Sequence, residues 1–261
     1  MRNSLILFLG VLAISSCTKV IDVDLNEANA ITVIEANYSA EDSTVRVLVT
    51  QTSNYFDNTA PPTIDNAAVT ITDHLGNTTV VPYTGAGNYV LAGYVPIFGT
   101  VYTVAVVHDG TTYMASSEMR TPIAQLPIYY EYTEGFFGSN AGYIPFVSYE
   151  DPAATEDYTL VRITRNDTLF NELNDIVLND DKLTNGNTFF RPIFLISQVD
   201  DSVSLELRTI TKEVFNYFTE LQSLTDPSSA APANPEFQWT NDALGFFSAY
   251  SSSRQNVIIV E

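Results

Sequence analysis

Cys17 is the one cysteine in 261 residues, and its setting is the most chemically explicit feature of the chain. A lone thiol cannot close an internal disulfide. It follows the small residues Ser15 and Ser16, which leave the preceding bond open to a signal peptidase and the sulfur free to carry a diacylglycerol. Two further clusters have donor sets that suit a ligand. Asp175, Asp180, Asp181, Asn185 and Asn187 gather hard oxygens of the kind calcium prefers. Leu183 falls where an EF-hand pattern wants Asp or Asn, and an acidic loop that is merely solvated has the same composition. Tyr129, Tyr130, Tyr132, Phe136 and Phe137, with the sole tryptophan Trp239, offer rings that stack on sugar or peptide faces. Strand cores also enrich aromatics, so these rings have a purely structural reading as well.

Catalytic patterns are poorly represented. His74 and His108 sit beside turn signals, and there is no Gly-x-Ser-x-Gly elbow or His-Glu-x-x-His. The thirty-one acids allow many carboxylate pairings of the glycosidase kind, but sequence does not give their separation. We therefore expect no enzyme activity and no cofactor, with calcium as the cation the 175–187 loop would suit. The formal charge of −20 argues against nucleic acid as a partner, because phosphates would be repelled.

The elements that must position these residues begin with an address. Arg2 precedes an apolar run over 5–14, shorter than the ~20 residues that span a bilayer. A basic start, a short apolar core and small residues form a secretory signal. Residues 1–17 are thus expected to be a lipoprotein signal ending in a lipidated Cys17, and 18–29 a polar tether.

From 30 to 122 the text is strand-like. Val69-Thr70-Ile71-Thr72 alternates, and Asp109-Gly110 between two β-branched runs predicts a tight hairpin. This stretch resembles an immunoglobulin-like or prealbumin-like β-sandwich. Pro122 and Pro127 mark a joint. The part over 123–261 reads as a second β-rich domain with one amphipathic helix near 209–224. There Ile210, Val214, Tyr217, Phe218, Leu221 and Leu224 recur at helical spacing, and Asp226-Pro227 stops the run. The expected fold class is mainly β.

Several features together resemble one family. They are the lipobox-like Ile14-Ser15-Ser16-Cys17, the strand-rich N-terminal part, Asp201-Ser202-Val203 leading into Ile210 to Phe218, and Asn234-Pro235 followed by Leu244-Gly245-Phe246-Phe247-Ser248-Ala249-Tyr250. Asp151-Pro152, and Asp180-Asp181 before Asn185-Gly186, fit the same layout. The chain resembles the Bacteroidota outer-membrane lipoprotein family catalogued as domain of unknown function 4249. The resemblance implies an envelope lipoprotein at the cell surface or periplasmic face of the outer membrane. It implies a gene often encoded beside TonB-dependent outer-membrane receptors, and no known activity, so it carries over no catalytic residue; from the anchor, the resemblance and the missing catalytic pattern we expect a non-catalytic accessory of such a transporter. The expected partners are the membrane, through the lipid, such a receptor, and a glycan or peptide ligand. The alternatives are a surface adhesin or glycan-binding protein and, behind it, a hydrolase with an unrecognised site.

Overall fold

Sixteen strands and one α-helix make up the regular structure of the described residues in a computed structural model of the chain. That description covers 30–53, 59–135, 140–182, 184–225 and 235–261. Residues 1–29, expected to be a signal segment and tether and including Cys17, lie outside it, as do Phe136, Phe137, Leu183 and Asn234.

In chain order the strands are β1 (Thr32–Ser39), β2 (Thr44–Gln51), β3 (Ala68–Thr72), β4 (Thr78–Val80), β5 (Tyr83–Gly85), β6 (Asn88–Leu91), β7 (Thr100–His108) and β8 (Thr111–Met119). They continue as β9 (Tyr129–Thr133), β10 (Gly142–Glu150), β11 (Tyr158–Arg165), β12 (Thr168–Phe170), β13 (Val177–Asp180), β14 (Thr188–Pro192) and β15 (Ser202–Ile210). Helix α1 (Lys212–Thr225) and β16 (Leu244–Ile258) complete the order. The mainly β class read from the alternating runs is what the chain adopts, with sheets packed in sandwich fashion.

Local chemistry explains the turns. β7 and β8 are joined by Asp109 and Gly110, both with positive φ (46° and 78°). A two-residue hairpin turn of this hand needs that conformation at both positions, and Asp and Gly tolerate it. Asn166 and Asp167 (φ 49° and 61°) do the same between β11 and β12.

The architecture depends on β16. Leu244 to Tyr250 pairs in parallel with β1, and Ser251 to Ile258 pairs antiparallel with β15. One strand thereby fuses two sandwiches into a nine-stranded sheet of order β12-β11-β15-β16-β1-β2-β6-β5, with β13 on the same edge of β11 as β12. The sheet β4-β3-β7-β8 covers one half and β14-β10-β9 covers the other. The first core holds Ile34, Tyr38, Val47, Ile71 and Val104 from the N-terminal strands, together with Trp239, Phe247 and Ala249 from the chain's end. The second core holds Val147, Tyr149, Val161, Leu205 and Leu207. Residues 235–250 thus complete the sandwich begun at residue 32, which a simple division at 122/123 does not convey.

The joint is held by polar contacts as well as by β16. Arg120 pairs with buried Asp157 at 3.0 Å, the Ile123 N–H donates to Thr209 Oγ1 at 3.1 Å, and the Gln125 N–H donates to Ser253 Oγ at 2.8 Å. Helix α1 packs Val214 and Phe218 onto Tyr158, Leu160, Ile210 and Tyr250, on the face of the large sheet away from the second core. It starts at Lys212 rather than near 209, because Thr209 and Ile210 remain in β15, paired with Thr159 and Tyr158.

Candidate functional site

A groove of about 570 Å³ runs along the outer face of the fused sheet, where β16 leaves β1 and joins β15. Alternation on β16 puts Phe246, Ser248 and Tyr250 on its floor. β1 contributes Glu35 and Asn37 on one side, with Arg46 of β2 beyond them. β11 and β15 contribute Leu160, Arg162, Arg208 and Ile210 on the other. Val214 and Phe218 of α1 overhang it, and the Phe218 ring meets Phe246 at 5.0 Å in a T-shaped contact. Sites between structural units are where ligand pockets tend to form, and this volume is within the usual range.

The groove is electrostatically unusual in so acidic a chain. Arg208 makes a two-pronged bond to buried Glu206, at 3.0 Å for both Nε–Oε1 and Nη2–Oε2, and its guanidinium lies 4.2 Å from the centre of the Tyr250 ring. Arg254 reaches the same carboxylate at 3.4 Å and Glu41 at 3.5 Å. Arg46 pairs with Asp42. Arg162 has no carboxylate within ion-pair distance among the described residues. It donates to the neutral amide oxygen of Asn171, and its Nε is enclosed without an acceptor. Burial lowers the Arg162 pKa, and the charge of Arg208 lowers it further against the opposing charge of Glu206. At the far end burial raises the pKa of Glu35, which also lacks a cation partner among the described residues.

The fold disperses the aromatic residues read from sequence. Tyr129, 49% exposed, lies on the outer face of β9 against Phe146 (5.6 Å) and Phe190 (6.0 Å). Phe146 and Phe190 stack at 4.6 Å, so an aromatic patch does exist there. Tyr130 instead meets Tyr143 edge-on at 5.7 Å beside the second core, and Tyr132 is exposed but contacts the same ring. Trp239 is buried in the first core and donates its indole N–H to the Ile34 carbonyl at 3.0 Å, so it is a packing residue there.

The acidic loop is likewise divided. Asp175 accepts the Glu172 N–H at 2.9 Å in a single 3₁₀ turn, and Asp180 pairs with Lys182 at 2.8 Å. Asn185 and Asn187 bond one another, and the Asn187 carbonyl accepts the Asp151 N–H at 3.0 Å. Buried Asp181 accepts the Asp157 N–H at 3.0 Å. Among the described residues no group of three His, Cys, Asp or Glu is arranged to hold a metal. Asp181 shares its surroundings with Asp151 and Asp157. Burial raises the Asp151 pKa, helped by the charges of Asp181 and then Asp157. His74 is exposed near the β3–β4 turn, and His108 lies 3.3 Å from Asp109 at the β7–β8 turn, well separated in the fold from the groove's lining.

Sequence reading missed the arginines. They come from residues 46 to 254, on β2, β11, β15 and β16, which come onto one face only in the folded sheet, and the one available signal was negative: eleven basic residues in all, four of them Arg on this face.

The family model for the domain of unknown function DUF4249 matches residues 18–256. No curated protein matches. Among solved structures, the chain is similar to the chicken interferon gamma receptor alpha chain at 8% identity, with 69% of this chain and 88% of that chain covered and a TM-score of 0.20.

Proposed function

The chain belongs to the family of the domain of unknown function DUF4249, and from that premise we propose that it is a non-catalytic, lipid-anchored outer-membrane protein. In this reading it binds a ligand on behalf of a TonB-dependent transporter, or binds the transporter itself. The observation that supports a binding role is the groove, which is open, apolar on its floor and charged on its walls. The anchoring rests on Cys17 behind its short apolar run. No helix among the described residues is long and apolar enough to cross a membrane. Labelled palmitate should enter the wild-type protein and be lost, with membrane fractionation, in Cys17→Ala. Gentle extraction should bring an outer-membrane barrel along. Unchanged label and fractionation in the variant would sink the anchor, and a protein that always extracts alone would sink the partnership.

A second reading, as a surface glycan-binding protein or adhesin, is favoured by the patch of exposed Tyr129 and Phe190 around half-buried Phe146, because flat rings suit the apolar faces of sugars. Binding on a glycan array that disappears in Phe190→Ala would support it over the first. An array without signal would remove it.

A further inference from the structure

The described arginines on this face of the sheet are ion-paired to carboxylates with one exception. Glu206 fills the fork of Arg208 and shares an oxygen with Arg254, Glu41 completes Arg254, and Asp42 takes Arg46. Arg162 keeps only the amide oxygen of Asn171. A guanidinium presents five donors in a planar fork that matches a carboxylate in two parallel bonds. The protein leaves most of that capacity unfilled, and does so beside the Arg208–Glu206 pair, with Glu206 directly across from Arg162 in the β11–β15 pairing but already held in the fork of Arg208. Apolar surface follows along the groove: Leu160 two residues back on β11, then Ile210, with Phe218 of α1 over the floor further on.

We propose that this end of the groove is a subsite for the carboxylate of a small organic acid with an apolar body, gripped by the Arg162 fork while its body lies under α1. The proposal rests on the reading of the groove as a ligand site and adds the ligand's class. Charge selects a monoanion. Arg208 is already committed to Glu206, so among the described residues no second free cation meets a phosphate dianion, and both Glu206 across from Arg162 and Glu35, without an ion-pair partner among the described residues, repel a second anionic group.

The test uses the full-length lipoprotein in nanodiscs of zwitterionic lipid, with 4-phenylbutyrate and its neutral twin 4-phenylbutyramide as probes, read by calorimetry. The acid should bind about tenfold or more tightly than the amide, the scale of a charge-assisted hydrogen bond to a partly buried group. Arg162→Gln should erase that preference, while Arg191→Gln, whose guanidinium donates to the Leu178 carbonyl away from this groove, should keep it. Asn171→Asp covers the case in which Arg162→Gln does not fold: it supplies Arg162 with an internal carboxylate and should abolish binding of the acid. Equal binding of acid and amide, no binding of the acid at millimolar concentration, or full binding by Asn171→Asp each overturns the subsite. Such a failure alongside intact palmitate labelling and barrel co-purification would leave the envelope reading standing. Loss of those with a working subsite would do the reverse.

Discussion

At the scale of single residues, the Ile34 carbonyl is approached closely from two sides. It accepts the Trp239 indole N–H, and a Cβ on Gly245 would stand 2.2 Å from its oxygen. Gly245 also holds φ +101°, a conformation that side chains rarely adopt. Gly245→Ala should therefore destabilise the protein by about 1–3 kcal/mol through conformation alone, and further through displacement of Ile34. Urea unfolding should show the loss, and native Trp239 emission should shift as its hydrogen bond breaks; wild-type stability and spectrum would show that the approach is not as close as described. Asp151 gives a pH signature. In the unfolded chain its carboxyl titrates near ~3.9. In the fold, burial and the nearby charges of Asp181 and Asp157 raise its pKa. Between those two values the native state holds a proton that the unfolded state has released, so this group's contribution to stability falls as pH rises through the window and stays lost above it. Asp151→Asn keeps an acceptor for the Gly186 N–H without the charge. Its urea midpoint relative to wild type should improve from about pH 4 to about pH 7, and a constant or shrinking difference would contradict the argument. Gly245 could be suspected from sequence as a point of close approach. The Asp151 cluster could not, because Asp181 lies thirty residues from Asp151 in the chain and meets it only in the fold.

At the scale of elements, β16 determines how the molecule behaves. Its first half is buried between β1 and the first core, and its second half is the edge partner of β15 in the other sandwich. Neither sandwich is complete without it. Separate domains usually unfold in separate steps; here the shared strand should couple them. Trp239 emission reports the first core and far-UV circular dichroism reports all strands, so the two urea curves should coincide. Two resolved midpoints would mean that β16 splits its allegiance and each half unfolds alone. The individual elements were largely legible in sequence. Period-two runs, the Asp109-Gly110 turn and the apolar spacing of α1 are local signals, and each produced the element expected of it. The start of α1 was misplaced by about a turn, because Ile210 satisfies both a helical repeat and the alternation of β15. The fusion was not legible. A strand's partners are fixed by pairing across more than two hundred residues, and nothing in Leu244 to Ile258 distinguishes one partner from two.

For the whole molecule, the question is how a chain with formal charge −20 admits an anion at all. The arginine groove was invisible in sequence for the same reason that it is chemically specific: its charges are few, far apart in the chain, and assembled only when β2, β11, β15 and β16 align. Outside it, acids dominate. Their summed field repels an approaching carboxylate over tens of ångströms in dilute salt, where the screening length is ~30 Å, and over only ~8 Å at physiological strength. The contact with Arg162 is partly enclosed, so added salt weakens it much less than it weakens the distant repulsion. The two effects differ in sign, and the long-range one involves many more charges. Affinity for 4-phenylbutyrate should accordingly improve as sodium chloride is raised from about 10 to about 150 mM, opposite to the usual behaviour of an arginine–carboxylate contact. Titrations at the two salt concentrations decide it. A dissociation constant that rises with salt would show that the local attraction outweighs the molecule's net charge, and the groove would then act as an exposed surface arginine does rather than as an enclosed subsite in an acidic field.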